Sequence, residues 1–156
     1  MQSKSFMQGI VPTNLRGNPG HKIARLYKFF NIAKDELLII SSRNVFIWDK
    51  TNDSYTEYAS NYGGPFRDAV IDSARQCLWI CGNQGRPIRF DWMSGQFSRR
   101  DDMHAIPNTQ AVELDSDGDL WFGTLRDGVI KFDPETGETL AFNPDSPKSR
   151  RLCSPR

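Results

Sequence analysis

The stretch Asp115-Ser116-Asp117-Gly118-Asp119-Leu120-Trp121-Phe122-Gly123-Thr124-Leu125-Arg126-Asp127-Gly128-Val129-Ile130-Lys131-Phe132-Asp133-Pro134-Glu135-Thr136-Gly137 decides how the whole chain is read. Asp117-Gly118 is a turn signal ahead of a short apolar run, Leu120 to Gly123. Arg126-Asp127-Gly128 is a second turn and leads into Val129 to Asp133, which Pro134 to Gly137 closes. Turns of this chemistry, separated by runs too short for helices, specify antiparallel strands.

The same pattern returns upstream at constant spacing. Phe132-Asp133 is preceded by Phe90-Asp91 and by Trp48-Asp49, and 132 − 90 = 42 while 90 − 48 = 42. Trp121 answers to Trp79, and Trp79 to Leu38, where a shorter loop at Ser41 to Asn44 removes one residue. A period of about 40 to 45 residues with four short strands per unit is the mark of β-propeller blades. The fold expected is therefore all-β, with about three blades of four antiparallel strands spanning residues 25–60, 68–100 and 110–143.

The strands expected in the first blade are 26–32, 37–41, 45–48 and 55–58. Those in the second are 69–72, 78–81, 88–90 and 96–98, and those in the third 111–114, 120–123, 129–132 and 139–142. Residues 1–24 read as an irregular lead or the remnant of an earlier blade, because Pro12, Gly17, Pro19 and Gly20 break any helix. Residues 148–156, rich in Ser, Pro and Arg, read as a flexible tail.

The run Cys77-Leu78-Trp79-Ile80-Cys81 lacks the apolar and polar alternation of a sheet with one wet face, so both of its faces must be covered. Stacked blades provide that cover, Leu78 and Ile80 facing one neighbour and Trp79 the other. Closed propellers have ~4 to 8 blades, and three are legible here. An incomplete propeller follows, which needs further blades or a second subunit to close the ring.

The 156 residues carry a formal net charge of +1, which gives no footprint for nucleic acid. No apolar stretch is long enough to span a bilayer, and Met1 to Phe6 lacks the apolar segment of a secretory signal. Cys77 and Cys81 share a strand, where a rise of ~3.3 Å per residue holds them about 13 Å apart, beyond disulfide reach. A CxxxC spacing with only His21 and His104 elsewhere is a poor zinc set, so both are read as core residues and Cys153 as part of the tail. No cofactor or metal is implied.

The residues of the third unit, Asp117-Gly118, Leu120-Trp121-Phe122-Gly123-Thr124, Gly128, Phe132-Asp133 and Thr136-Gly137, resemble the two-component regulator propeller repeat. The second unit matches more loosely, through Leu78-Trp79-Ile80-Cys81-Gly82 and Phe90-Asp91, with Ala74-Arg75-Gln76 where the usual turn belongs. The first has Leu37-Leu38-Ile39-Ile40 in place of the tryptophan strand. The resemblance implies a sensor module from the periplasmic or extracytoplasmic side of a hybrid two-component regulator, responding to an oligosaccharide. The resemblance stops at a sensor-type propeller piece and does not extend to a signalling output, since no kinase or receiver motif is read in the sequence.

Asp115, Asp117 and Asp119 invite a calcium reading. Glycine falls at the fourth position of the run, not the sixth that an EF-hand loop needs, so a solvated hairpin is the better account. Asp49, Asp91 and Asp133 each end a third strand, and three copies at one position speak for turn architecture. Trp79 and Trp121 read as packing anchors. The residues expected to face a ligand are Gln84, Arg86, Arg126 and Asp127 in loops, together with Trp92 in a turn and Tyr62 in a linker, because loops on a rigid scaffold are free to carry recognition. No catalytic residue is recognised: His104 beside Asp101 and Asp102 is not a triad. Alternatives are a propeller-type polysaccharide lyase or glycosidase fragment, and a protein-interaction scaffold.

Overall fold

A computed structural model describes residues 26–62, 65–82, 86–106 and 108–143. Among them the chain forms three four-stranded sheets, each an up-and-down meander. The first contains β1 (Leu26–Ala33), β2 (Glu36–Ser41), β3 (Asn44–Asp49) and β4 (Ser54–Ala59). The second contains β5 (Phe66–Asp72), β6 (Cys77–Gly82), β7 (Ile88–Asp91) and β8 (Gln96–Ser98), and the third β9 (Thr109–Leu114), β10 (Leu120–Thr124), β11 (Val129–Phe132) and β12 (Thr139–Phe142). Every expected strand is present, in antiparallel register with its sequence neighbour. The lead and tail, including His21 and Cys153, lie outside the described residues.

The chain divides into two compact units between Ser60 and Asn61. In the first, β2 is buried along Leu37 to Ser41. Leu37, Ile39 and Phe46 form a cluster with Phe29, Trp48 and Tyr55 packed against it. Phe46 and Tyr55 meet edge to face, with ring centroids 5.9 Å apart.

In the second unit, β6 is buried from Cys77 through Cys81, as its unbroken apolar run requires. Cys77, Trp79 and Cys81 pack with Val112, Leu120, Phe122, Ile130 and Phe132 of the third sheet in one core. On the opposite face Leu78, Ile80 and Phe90 are fully buried. Phe97 joins them, its ring centroid 4.6 Å from that of Phe90. Both cysteines are buried, and burial pushes the Cys77 thiol up to about 11.

Two segments depart from expectation. The linker after β8 contains a short 3-10 helix, Asp101–Ala105, and its Met103, with Ile106 just beyond, is fully buried in the core shared by the second and third sheets. Two apolar residues within a polar segment gave no periodic signal. Strand β5 starts at Phe66, three residues earlier than expected, because a register shift between Phe66 and Asp68 interrupts the alternation.

The aspartates that end the third strands repeat one device. The Thr51 and Asn52 amides donate to Asp49 Oδ1 at 2.8 and 3.2 Å. Met93 and Ser94 do so to Asp91 at 3.1 and 2.9 Å, and Glu135 and Thr136 to Asp133 at 2.7 and 3.2 Å. Each turn then needs a left-handed residue four positions on, supplied by Asp53 (φ 47°), Gly95 (φ 71°) and Gly137 (φ 79°).

Candidate functional site

Successive connections of a meander lie at opposite ends of the sheet. In the second unit the tight turns β5–β6, β7–β8, β9–β10 and β11–β12 share one end, and the β6–β7 and β10–β11 loops the other. Contacts between the two sheets keep these ends aligned. At the turn end Arg75 donates to Asp72 Oδ2 at 2.9 Å, Glu135 Oε1 at 2.7 Å and the Gly118 carbonyl at 3.4 Å. At the loop end the Gly82 amide donates to Thr109 Oγ1 at 3.3 Å.

Most carboxylates of the turn end are engaged in hydrogen bonds or ion pairs, while Asp117 and Glu138 are exposed, their side chains without a hydrogen-bond or ion-pair partner among the described residues. Burial pushes the Asp72 carboxyl up, but hydrogen bonds from Arg75 and Trp79 more than offset this and hold it below the ordinary 3.8. Asp115 accepts the Trp121 indole N–H at 2.7 Å, and the Asp117 and Asp119 amides at 3.0 and 2.9 Å. Those bonds, led by Trp121, lower its pKa. Asp119 pairs with Lys131 at 2.5 Å. Asp119, Lys131, Asp133, Glu138 and Leu140 line a shallow cleft of ≈ 120 Å³ on the third sheet. Of the alternating aspartates, Asp115 is the acceptor of the hairpin turn, Asp117 and Asp119 donate their amides to it, and the Asp119 carboxylate pairs with Lys131.

The loop end has a different character. Thr124 Oγ1 donates to the Gly128 carbonyl at 2.9 Å and accepts the Asp127 amide at 2.8 Å. The Leu125 amide donates to the Asn108 carbonyl at 3.2 Å. Gly128, at φ +76°, closes the loop where a Cβ would stand 2.3 Å from the Phe142 carbonyl. The backbone is pinned, yet Leu125, Arg126 and Asp127 are exposed, Leu125 at 64%. The side chains of Arg126 and Asp127 have no hydrogen-bond or ion-pair partner among the described residues.

Arg86 stands at the same end, 3.5 Å from the exposed Asp101 carboxylate. Tyr62 lies in the connection leading to β5, with the Arg99 guanidinium 4.7 Å above its ring. The structure therefore puts Arg86, Arg126 and Asp127 on one end. Trp92 belongs to the β7–β8 turn at the other end and is half-buried. Gln84 lies outside the described residues. The acids beside His104 are engaged elsewhere, Asp101 with Arg86 and Asp102 with Arg100 at 2.6 Å.

The structure adds residues that the sequence did not single out. The first strands of the second and third sheets, β5 and β9, each carry an extra residue near their start: Arg67 between Phe66 and Asp68, and Gln110 between Thr109 and Ala111. In the first sheet Tyr27 holds the same place in β1. The signal was in the sequence as a polar residue breaking each strand's alternation, but a break in alternation reads equally well as a loop. Asp68, next to the bulge, accepts the Val112 amide at 3.1 Å and satisfies the free edge of β9.

No protein-family model matches the sequence, and no curated protein matches it. Solved structures do match in fold. The extracellular domain of a protein assigned as a hybrid two component system from B. thetaiotaomicron superposes with a TM-score of 0.65 at 16% identity, over 85% of this chain and 18% of that one. A second such domain from the same organism gives 0.61 at 14% identity, over 81% and 20%. An auxiliary nutrient binding protein from Bacteroides thetaiotaomicron gives 0.62 at 16%, over 78% and 30%. The chain spans at most about a third of the length of these proteins. At such identities the likeness establishes a propeller-type fold, which hosts many functions.

Proposed function

We propose that this chain is part of a ligand-sensing β-propeller that acts on the periplasmic or extracytoplasmic side of a two-component regulator and responds to an oligosaccharide. The observation that carries the reading is the contrast between the two ends of the second unit. Asp72, Asp91, Asp115, Asp119 and Asp133 at the turn end are spent on backbone, indole, guanidinium or ammonium donors, while the loop end holds Arg126 and Asp127 out on a pinned backbone without side-chain partners among the described residues. Exposed polar groups on a rigid loop are what recognition needs, since little ordering entropy is lost on binding.

The matched extracellular and nutrient-binding domains support the same reading. Further blades or a second subunit would complete the ring. The test is calorimetric titration of the chain with oligosaccharide panels, alongside Arg126→Ala and Asp127→Ala variants. Binding that weakens in both is the expected result. Binding to no glycan, or binding unaffected by either change, would remove the loop end from the site.

A further inference from the structure

The bulges at the start of β5 and β9 recur at one structural position, opposite the last residues of β6 and β10. A bulge leaves its extra residue out of the ladder and turns its side chain away from the regular pleat, and bulges are over-represented beside binding sites. Here the two residues are Arg67 and Gln110. Arg67 is exposed and has neither hydrogen bond nor ion pair among the described residues. Gln110 is half-buried, its side-chain amide 3.4 Å from the Thr109 carbonyl.

A path of strand pairing and one hydrogen bond to a side-chain hydroxyl joins these positions to the exposed loop. Phe66 pairs with Gly82, whose amide reaches Thr109, and Thr109 pairs with Thr124 at the root of the Leu125–Asp127 loop. A Cβ at Gly82 would lie 2.6 Å from the Pro65 carbonyl, so the start of β5 is held tightly against the end of β6. The loop end thus carries two guanidiniums without partners among the described residues, Arg67 and Arg126, and a third, Arg86, in a long and exposed pair.

Guanidinium groups bind carboxylate and sulfate through two parallel N–H bonds, and an amide beside them can serve a neighbouring hydroxyl. We infer that Arg67, Gln110 and Arg126 form an anion subsite on the loop end of the second and third sheets, and that the ligand is a saccharide bearing carboxylate or sulfate groups. This rests on the proposed sensing role and narrows its substrate class.

The experiment titrates the full chain, in low and in physiological salt, with three probes of equal length: an oligogalacturonate, a sulfated galactan oligosaccharide and a neutral cello-oligosaccharide. An acidic probe is expected to bind at least tenfold more tightly than the neutral one, with affinity falling as salt rises. Arg67→Ala should weaken that binding about tenfold, Arg67→Lys should restore part of it because charge returns without the planar fork, and Gln110→Ala should weaken it a few-fold. The Arg67 variants should melt with the parent, since the side chain is exposed. Preference for the neutral probe, or acidic binding unchanged in Arg67→Ala, overturns the anion subsite and leaves the sensing role standing. Binding of none of the three overturns both.

Discussion

Trp79 in the second sheet and Trp121 in the third occupy equivalent places and hold the same kind of bond, the first to Asp72 at 3.1 Å and the second to Asp115 at 2.7 Å. Their surroundings differ. Trp79 is 1% exposed, sealed into the core that its sheet shares with Leu120, Phe122 and Phe132. Trp121 is half-buried and leans on Phe142, ring centroids 5.4 Å apart, with the Lys131 ammonium 5.5 Å from its centroid. Local chemistry orients the indole in both sheets, and the adjoining sheet determines how much burial adds to it.

That comparison can be broken most directly by deleting each indole. Trp79→Ala should cost ~3 to 5 kcal/mol in chemical denaturation, the range for a fully buried aromatic. Trp121→Ala should cost about half as much, since less apolar area leaves water on folding. Equal losses would mean that the two faces are covered alike.

Removing the carboxylates probes the same pair one step out. Asp72→Ala strands a buried indole N–H and takes a partner from Arg75, so ~1 to 3 kcal/mol should be lost. Asp115→Ala leaves donors that water can reach, and its melting temperature should fall less than that of Asp72→Ala. The reverse order would contradict the burial difference.

Acid should reveal the carboxylates together. Asp49, Asp72, Asp91, Asp115 and Asp133 are all held below the ordinary carboxyl value of 3.8 in the folded chain. A depressed pKa contributes stability above the unfolded value that is lost as pH falls through the folded one. Urea midpoints measured from pH 7 to 2 should therefore stay level at first and decline below about pH 4. Asp72→Asn should flatten part of that decline.

The smallest effect concerns the thiols of the buried face. Cys77 and Cys81 should resist a thiol-directed dye at neutral pH in the folded chain and react on unfolding, because the thiolate is the reactive form and burial disfavours it at Cys77. In a Cys153→Ser variant, prompt labelling of the native protein would mean that the Trp79 face opens readily.

The strand pattern was legible because hairpin turns are written locally. Asp49, Asp91 and Asp133 recur every 42 residues (90 − 48 = 42 for the residues before them), and the structure gives each the same two amide donors. Arg75 was read as a departure from the usual turn and proves to link the second and third sheets. Its partners Glu135 and Gly118 are distant in sequence, so no local pattern could name them.

The expected ligand residues separated for the same reason. Arg86, Arg126 and Asp127 share an end because β6–β7 and β10–β11 are equivalent connections, whereas Trp92 follows β7 and falls at the other end.

The sequence by itself determined the period, the strands and the turns, since each depends on residues a few positions apart whose backbone preferences act locally. The tertiary structure alone decided which tryptophan is sealed, that Met103 and Ile106 enter the core, and that Arg67 and Gln110 stand on bulges at one end. Those outcomes depend on which surfaces meet after the sheets have formed, and contact between surfaces far apart in the chain leaves no mark in the order of neighbouring residues.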